Sequence, residues 1–166
     1  MKIAIDGPAG SGKSSIAKDL AKRLNILYVD TGAMYRAITL KLLKTDESDF
    51  EKVLKETKIN FDGDKIFLDG KDVSEKIREN EISNKTSEFS KKKIIRDYLV
   101  KMQREIAKDR DVVMEGRDIG SVVLKDAEYK FFLTADVETR AMRRYKQLGD
   151  NSLKFEDILA DLKVRD

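Results

Sequence analysis

Gly7-Pro8-Ala9-Gly10-Ser11-Gly12-Lys13-Ser14, followed by Ser15, matches the pattern G-x-x-x-x-G-K-[ST] in full. Ahead of it, Lys2 to Asp6 is a short apolar run that stops at a glycine, the mark of a buried parallel strand opening an α/β domain. Behind it the period changes. Ile16, Ala17, Leu20, Ala21 and Leu24 recur at helical spacing, while Lys18, Asp19, Lys22 and Arg23 fall elsewhere on the wheel. A strand, a glycine loop and a helix in that order make a phosphate-binding loop, or P-loop. The glycines let successive backbone N–H groups curl around a phosphate and the helix N-terminus adds its dipole; Lys13 reaches the β/γ oxygens, and Ser14 ligates Mg²⁺. A turn that merely joined strand to helix would not need Lys13 and Ser14 directly after the last glycine. The glycine order, G-x-x-G-x-G, also differs from the dinucleotide-binding fingerprint G-x-G-x-x-G. Gly7, Pro8, Ala9, Gly10, Ser11, Gly12, Lys13, Ser14 and Ser15 are therefore the expected ligands of a nucleotide's phosphates.

Outward from the loop, Asn25 closes the first helix, and Ile26 to Asp30 reads as a second strand ending in an acid. Ala33 to Leu43 is helical again, with Met34, Ile38 and Leu42 in register. Residues 46–80 differ: Lys58 to Phe61 and Lys65 to Leu68 are short alternating runs joined by Asp62-Gly63-Asp64, a hairpin turn, so a small β insertion is expected. Glu81 to Ser90 and Lys92 to Lys108 read as helices. Asp111 to Glu115 and Tyr129 to Leu133 read as strands, and Asp136 or Thr134 caps a helix running to about Leu148. Phe155 to Val164 is a last helix. The alternation predicts an α/β fold of P-loop NTPase type: a parallel, doubly wound sheet flanked by helices, with ligands at the carboxyl ends of its strands.

A chain of 166 residues that is 40% hydrophobic fits one compact domain. Cysteine and histidine are both absent, which excludes disulfides, thiolate metal sites and a cysteine nucleophile. Chemistry must come from carboxylates, lysine, arginine, backbone amides or a metal. No apolar run approaches the ~18 residues of a membrane span, so a cytoplasmic protein without a membrane partner is expected. The net charge of +3 arises from 34 basic and 31 acidic residues that are well mixed. Lys91-Lys92-Lys93 has no interleaved aromatics, and no nucleic-acid partner is expected. Anionic small molecules remain.

The P-loop is shared by several classes, so other residues must choose among them. Asn84-Lys85-Thr86-Ser87 begins like a guanine reader but lacks its acid. Val112-Val113-Met114-Glu115 is followed by Gly116-Arg117-Asp118, and an arginine at a strand's carboxyl end suggests a second anion. These residues carry a resemblance. I-D-G-P-A-G-S-G-K-S at 5–14, D-T-G-A-M-Y-R at 30–36, V-S-E-K-I-R at 73–78 and E-G-R-D-I-G-S-V-V at 115–123 resemble the bacterial cytidylate kinases along essentially the whole chain.

The resemblance implies a P-loop nucleoside monophosphate kinase that uses ATP and Mg²⁺ to phosphorylate CMP and dCMP and acts as a monomer. It implies a single domain over 1–166, with a β-containing NMP-binding insertion at about 46–90 and the start of a lid at about 148–166. Arg36 and Arg117 can each offer a fork to the acceptor's α-phosphate, beside Thr31, which stands where serine is common in the family. Family positions matching Ser87, Arg96 and Asp118 read the cytosine edge. Asp30 orients the water shell of Mg²⁺ that Ser14 ligates. Arg140, Arg143 and Arg144 lie on the helix before the lid and are candidates to touch ATP, and Arg165 belongs to the lid's arginine-rich segment. Lys13, Arg36, Arg117 and Arg165 form the expected catalytic set. Each also has a plainer reading: Arg36 as a surface ion pair, Arg117 and Asp118 as mutual partners, the others as solvated helix faces. Family members continue past the last residue of this chain, which leads to the expectation that it is a truncated form of a longer protein. A kinase for UMP or AMP, or an ATP-binding regulator without catalysis, stays open as an alternative.

Overall fold

The computed structural model describes residues 1–149 and 153–166, with only the backbone of Arg165. In chain order the first half runs β1 (Lys2–Asp6), α1 (Lys13–Leu24), β2 (Leu27–Asp30), α2 (Thr31–Leu42), α3 (Phe50–Lys55), β3 (Ile59–Asp62), β4 (Lys65–Leu68) and β5 (Lys71–Asp72). The second half runs α4 (Asn80–Phe89), α5 (Lys93–Ala107), β6 (Val112–Gly116), β7 (Tyr129–Phe132), α6 (Val137–Leu148) and α7 (Phe155–Arg165).

The main sheet is parallel throughout, in the order β2-β6-β1-β7. Val112, Val113 and Met114 of β6 are fully buried, as a strand covered on both faces must be. Val113 packs with Ile3, Ile5, Ala17 and Ala21 beneath α1, whereas Val112 and Met114 point the other way, into the larger core with Met34, Ile38, Ile95 and Leu99. The register pairs Asp30 with Glu115, Ile5 with Glu115 and Asp6 with Gly116. Three carboxylates thus reach the same end of the sheet, where the glycine loop leaves β1.

Local chemistry sets the helix boundaries. Asn25 takes a left-handed conformation (φ 53°) and donates its N–H to the carbonyls of Ala21 and Lys22, closing α1 as expected. Asp30 accepts from the Ala33 N–H at 2.8 Å, so α2 begins at Thr31, two residues earlier than its apolar spacing indicates. Asp136, and not Thr134, caps α6 by accepting from the Thr139 N–H at 2.8 Å.

The stretch 46–80, read as a small β insertion, carries the short helix α3 ahead of its strands. Phe50 and Leu54 of that short helix are buried, and the Phe50 ring lies 5.7 Å from that of Phe89. The antiparallel sheet β3-β4-β5 follows, and Gly63 (φ 55°) makes the turn between its first two strands. A single π-helical turn at Ile119–Val123 follows β6 and has no counterpart in the sequence reading. α7 packs on α6 through Ala141, Ile158 and Leu162. Residues 150–152 of the expected lid start lie outside the described residues. No helix among the described residues is long and apolar enough to cross a membrane.

Candidate functional site

Gly10 (φ 76°) and Gly12 (φ 94°) both adopt left-handed backbone, which bends the loop after β1 into a concave run of amides. Gly12 is the N-cap of α1 and supplies no side-chain cap, so the helix's first N–H groups face the loop without one. Lys13 folds back over this loop, its Nζ donating to the Pro8 carbonyl at 3.3 Å. Burial pushes the Lys13 ammonium below the usual lysine range. Arg117 and Arg36 push the same way, while Glu115 and Asp30 oppose them. Lys13, Arg36 and Arg117, named separately from the sequence, therefore share one electrostatic neighbourhood.

The far side of the loop rests on α6. Arg140 is only 4% exposed: its Nε donates to the Ala135 carbonyl at 2.9 Å, its Nη1 to the Ala9 carbonyl at 3.3 Å, and its fork grips Asp166. Arg143 donates to the carbonyls of Gly10 and Ser11 at 3.2 and 3.1 Å. Arg144 is half-buried on the same helix. Two of the three α6 arginines thus buttress the loop's carbonyls from behind in this conformation.

Facing the loop, Glu115 is 2% exposed at the end of β6 and has both carboxylate oxygens engaged. Ser14 Oγ donates to Oε2 at 2.8 Å, and the Tyr28 hydroxyl donates to Oε1. Burial raises the Glu115 carboxyl above the usual carboxylate range, with the Asp30 charge adding to it. Tyr28 and Glu115 were not singled out from the sequence, although the acid's place at the end of an apolar strand was a usable signal. Asp30 combines its cap bond with an ion pair to Arg36 at 3.5 Å. The Thr31 hydroxyl is buried and donates to the Glu115 carbonyl at 2.7 Å, tying α2 to β6.

Among the described residues, Arg36 Nε is a buried donor with no hydrogen-bond partner. Such a group costs stability until an acceptor meets it, and a guanidinium meets an anionic one best. Across the cleft Arg117 is exposed, and Asp118 pairs with Arg96 of α5 at 2.7 Å. Tyr35 of α2 lies close enough to feel both of those charges, although burial is the main reason its phenol is raised. The turn that carries Arg117 and Asp118 is anchored by Asp6, whose carboxylate accepts the N–H groups of Ile119 at 2.7 Å and Gly120 at 2.9 Å. Asp6 also escaped the sequence reading, where it was only the last residue of a strand. Ser87 is half-buried on α4. The backbone of Arg165 ends α7, but its side chain lies outside the described residues.

A parallel sheet with a glycine-rich phosphate loop after its first strand, a lysine folded over that loop and two arginines whose charges that lysine feels define a P-loop phosphotransferase. The comparisons narrow the class. The cytidylate kinase family model matches residues 3–166, and the chain belongs to that family of nucleoside monophosphate kinases. It is similar to the cytidylate kinase of Caldanaerobacter subterraneus subsp. tengcongensis, with 54% identity covering 100% of this chain and 77% of that one. A cytidylate kinase of Clostridium botulinum is 47% identical, covering 100% of this chain and 80% of the relative. Among solved structures, an uncharacterized protein from Eubacterium ventriosum aligns with a TM-score of 0.52 at 18% identity, covering 99% of this chain and 70% of the other, a likeness of fold.

Proposed function

We propose that this chain transfers the γ-phosphoryl group of ATP to CMP and dCMP, giving the diphosphates. The observation that carries the reading is the buried Arg36 Nε, which has no hydrogen-bond partner among the described residues, on the helix that follows β2, since holding ATP alone requires no such arginine. Family membership supplies the acceptor.

In this reading residues 7–15 cradle the β- and γ-phosphates through loop amides and the dipole of α1, with Lys13 on the transferring group. Arg36, through its unpartnered Nε, and Arg117 clasp the acceptor's α-phosphate beside Thr31 and turn one of its oxygens toward the γ-phosphorus. Asp118 accepts from the cytosine amino group while Arg96 and Ser87 serve the adjacent acceptors; uracil would present a carbonyl to the same carboxylate. Arg140, Arg143 and Arg144 act on the ATP side, the first two through the loop they buttress, and Arg165 acts from the start of the lid. The insertion at 46–90 holds the acceptor. The same reading makes the protein a cytoplasmic monomer that acts on small molecules and not on nucleic acid.

Mg²⁺ suits these residues. The described residues contain no cluster of three or more His, Cys, Asp or Glu able to cage a metal, and Mg²⁺ bound chiefly by phosphate oxygens and water needs none. Ser14 Oγ would hold it directly and Asp30 through its water shell, beside Glu115. Its chemistry there is to neutralise charge on the β- and γ-oxygens as the bond to the leaving group lengthens.

An ATP-coupled assay with CMP, dCMP, UMP and AMP tests the assignment. CMP and dCMP should be the preferred acceptors, and Lys13→Ala should abolish turnover while leaving the circular dichroism spectrum unchanged. Folded protein that ignores CMP, or a Lys13→Ala variant of near-normal activity, refutes it.

A further inference from the structure

Tyr28 packs in the cluster beneath α1 with Ile3, Ile5, Ala17, Ala21 and Val113. The register pairs it with Val113, two residues before Glu115, so Tyr28 and Glu115 are diagonal neighbours on the face that α1 covers. A phenylalanine would fill this place equally well. The hydroxyl therefore needs an explanation beyond packing, and among the described residues its partner is Glu115 Oε1, whose sister oxygen Oε2 accepts from Ser14.

We propose that Tyr28 is a positioning residue for phosphoryl transfer, its hydroxyl holding the Glu115 carboxylate in the orientation that keeps Ser14 aimed at the metal side of the phosphate loop. This rests on the reading of Ser14 as a Mg²⁺ ligand. The terminal torsion of a glutamate is soft, so a buried carboxylate with one donor can swing where one with two cannot. The ring in turn is held in place. Lys18 of α1 places its ammonium 5.6 Å from the ring centroid and pairs with Asp64, in the β3–β4 turn, at 3.2 Å. Tyr28 thus stands where the phosphate loop, the central strand and the antiparallel insertion meet. The same junction borders a cavity of about 30 Å³ lined by Lys18, Tyr28, Asp30, Arg36 and Asp64 among others.

Tyr28→Phe retains the ring and its contact with Lys18 and removes only the hydroxyl. Binding of Mn²⁺ to the ADP complex, read from the electron paramagnetic resonance of free Mn²⁺, should weaken about five- to tenfold, the worth of roughly one ordinary hydrogen bond. Under Mg²⁺, kcat should fall by a similar factor while KM for CMP stays within about twofold, a split that general loosening of the fold would not produce. In a Glu115→Gln background the same substitution should change Mn²⁺ affinity by less than about twofold, because residues acting through one another are non-additive. Wild-type Mn²⁺ affinity in Tyr28→Phe, or an undiminished effect in the Glu115→Gln background, overturns the proposal. Tyr28→Met fills the space without a hydroxyl and serves if the phenylalanine variant folds poorly. If Ser14→Ala leaves Mn²⁺ affinity intact, the metal assignment of Ser14 falls and this inference falls with it. If Ser14→Ala weakens Mn²⁺ binding and Tyr28→Phe does not, only the role of Tyr28 falls.

Discussion

Replacing Gly7 with alanine would put a methyl group 2.1 Å from the Leu133 carbonyl oxygen, 3.1 Å from its carbon and 3.2 Å from Ser11 Oγ. The first contact is more than 1 Å short of van der Waals distance, and both sides of it are tethered backbone. Leu133 N–H donates to the Asp6 carbonyl at 2.7 Å, and Gly7 N–H to the Gly116 carbonyl at 3.2 Å. No flexible side chain can yield, so β7 must part from β1 or the loop must shift. Overpacking of this kind costs about 1–3 kcal/mol. Weakening the Leu133–Asp6 hydrogen bond adds about 1 kcal/mol. For a chain of this size the sum lowers Tm by roughly 5–15 °C. The displaced loop should also bind ADP at least about tenfold more weakly, equivalent to about 1.4 kcal/mol. Thermal unfolding followed by circular dichroism and calorimetry with ADP measure both. Gly63→Ala is the control: its methyl group meets none of the described residues within 4 Å, and the left-handed backbone (φ 55°) opposes it at a cost of about 1 kcal/mol, with ADP binding unchanged. A Gly7→Ala protein with wild-type Tm and wild-type ADP affinity would refute the close approach of the loop to β7.

Arg143→Ala removes two hydrogen bonds to the loop carbonyls of Gly10 and Ser11 from an exposed side chain. Losing bonds worth about 0.5–1 kcal/mol each should lower Tm by roughly 2–8 °C, and ADP affinity should drop about three- to tenfold as the loop loosens; calorimetry showing equal affinity would dismiss the buttress. Glu115 carries a pH prediction for the metal-free protein. Its folded carboxyl is raised, chiefly by burial, so the stability linked to it is fully present below the unfolded value and is lost as pH rises through the folded value. Glu115→Gln should therefore lose less Tm than the wild type on going from acid toward neutral pH, and parallel curves for the two proteins would contradict the burial argument.

The parts of this protein legible in its sequence are those whose causes lie within a few residues. The glycine loop, its flanking strand and helix, the Asn25 stop and the Gly63 turn follow from backbone permissiveness and hydrophobic period, which act locally. Even so, α3 went unseen, because a helix of six residues spans too few turns to show a period. The π-helical turn after β6 owes its shape to the distant Asp6, whose carboxylate takes N–H groups 113 and 114 positions along the chain. Distance in sequence also hid the site's inner contacts. Ser14 and Glu115 are 101 residues apart and Tyr28 and Glu115 are 87 apart, and only the parallel register of β2, β6 and β1 brings them to one edge. Residue types and short spacings marked the glycine loop, while the arginines that accompany it were picked out through the resemblance of the motifs around them. Which oxygen each donor meets, and which arginines support the loop from behind, depended on how the strands align and how α6 packs, choices made by burial of the whole core that no short window of sequence contains.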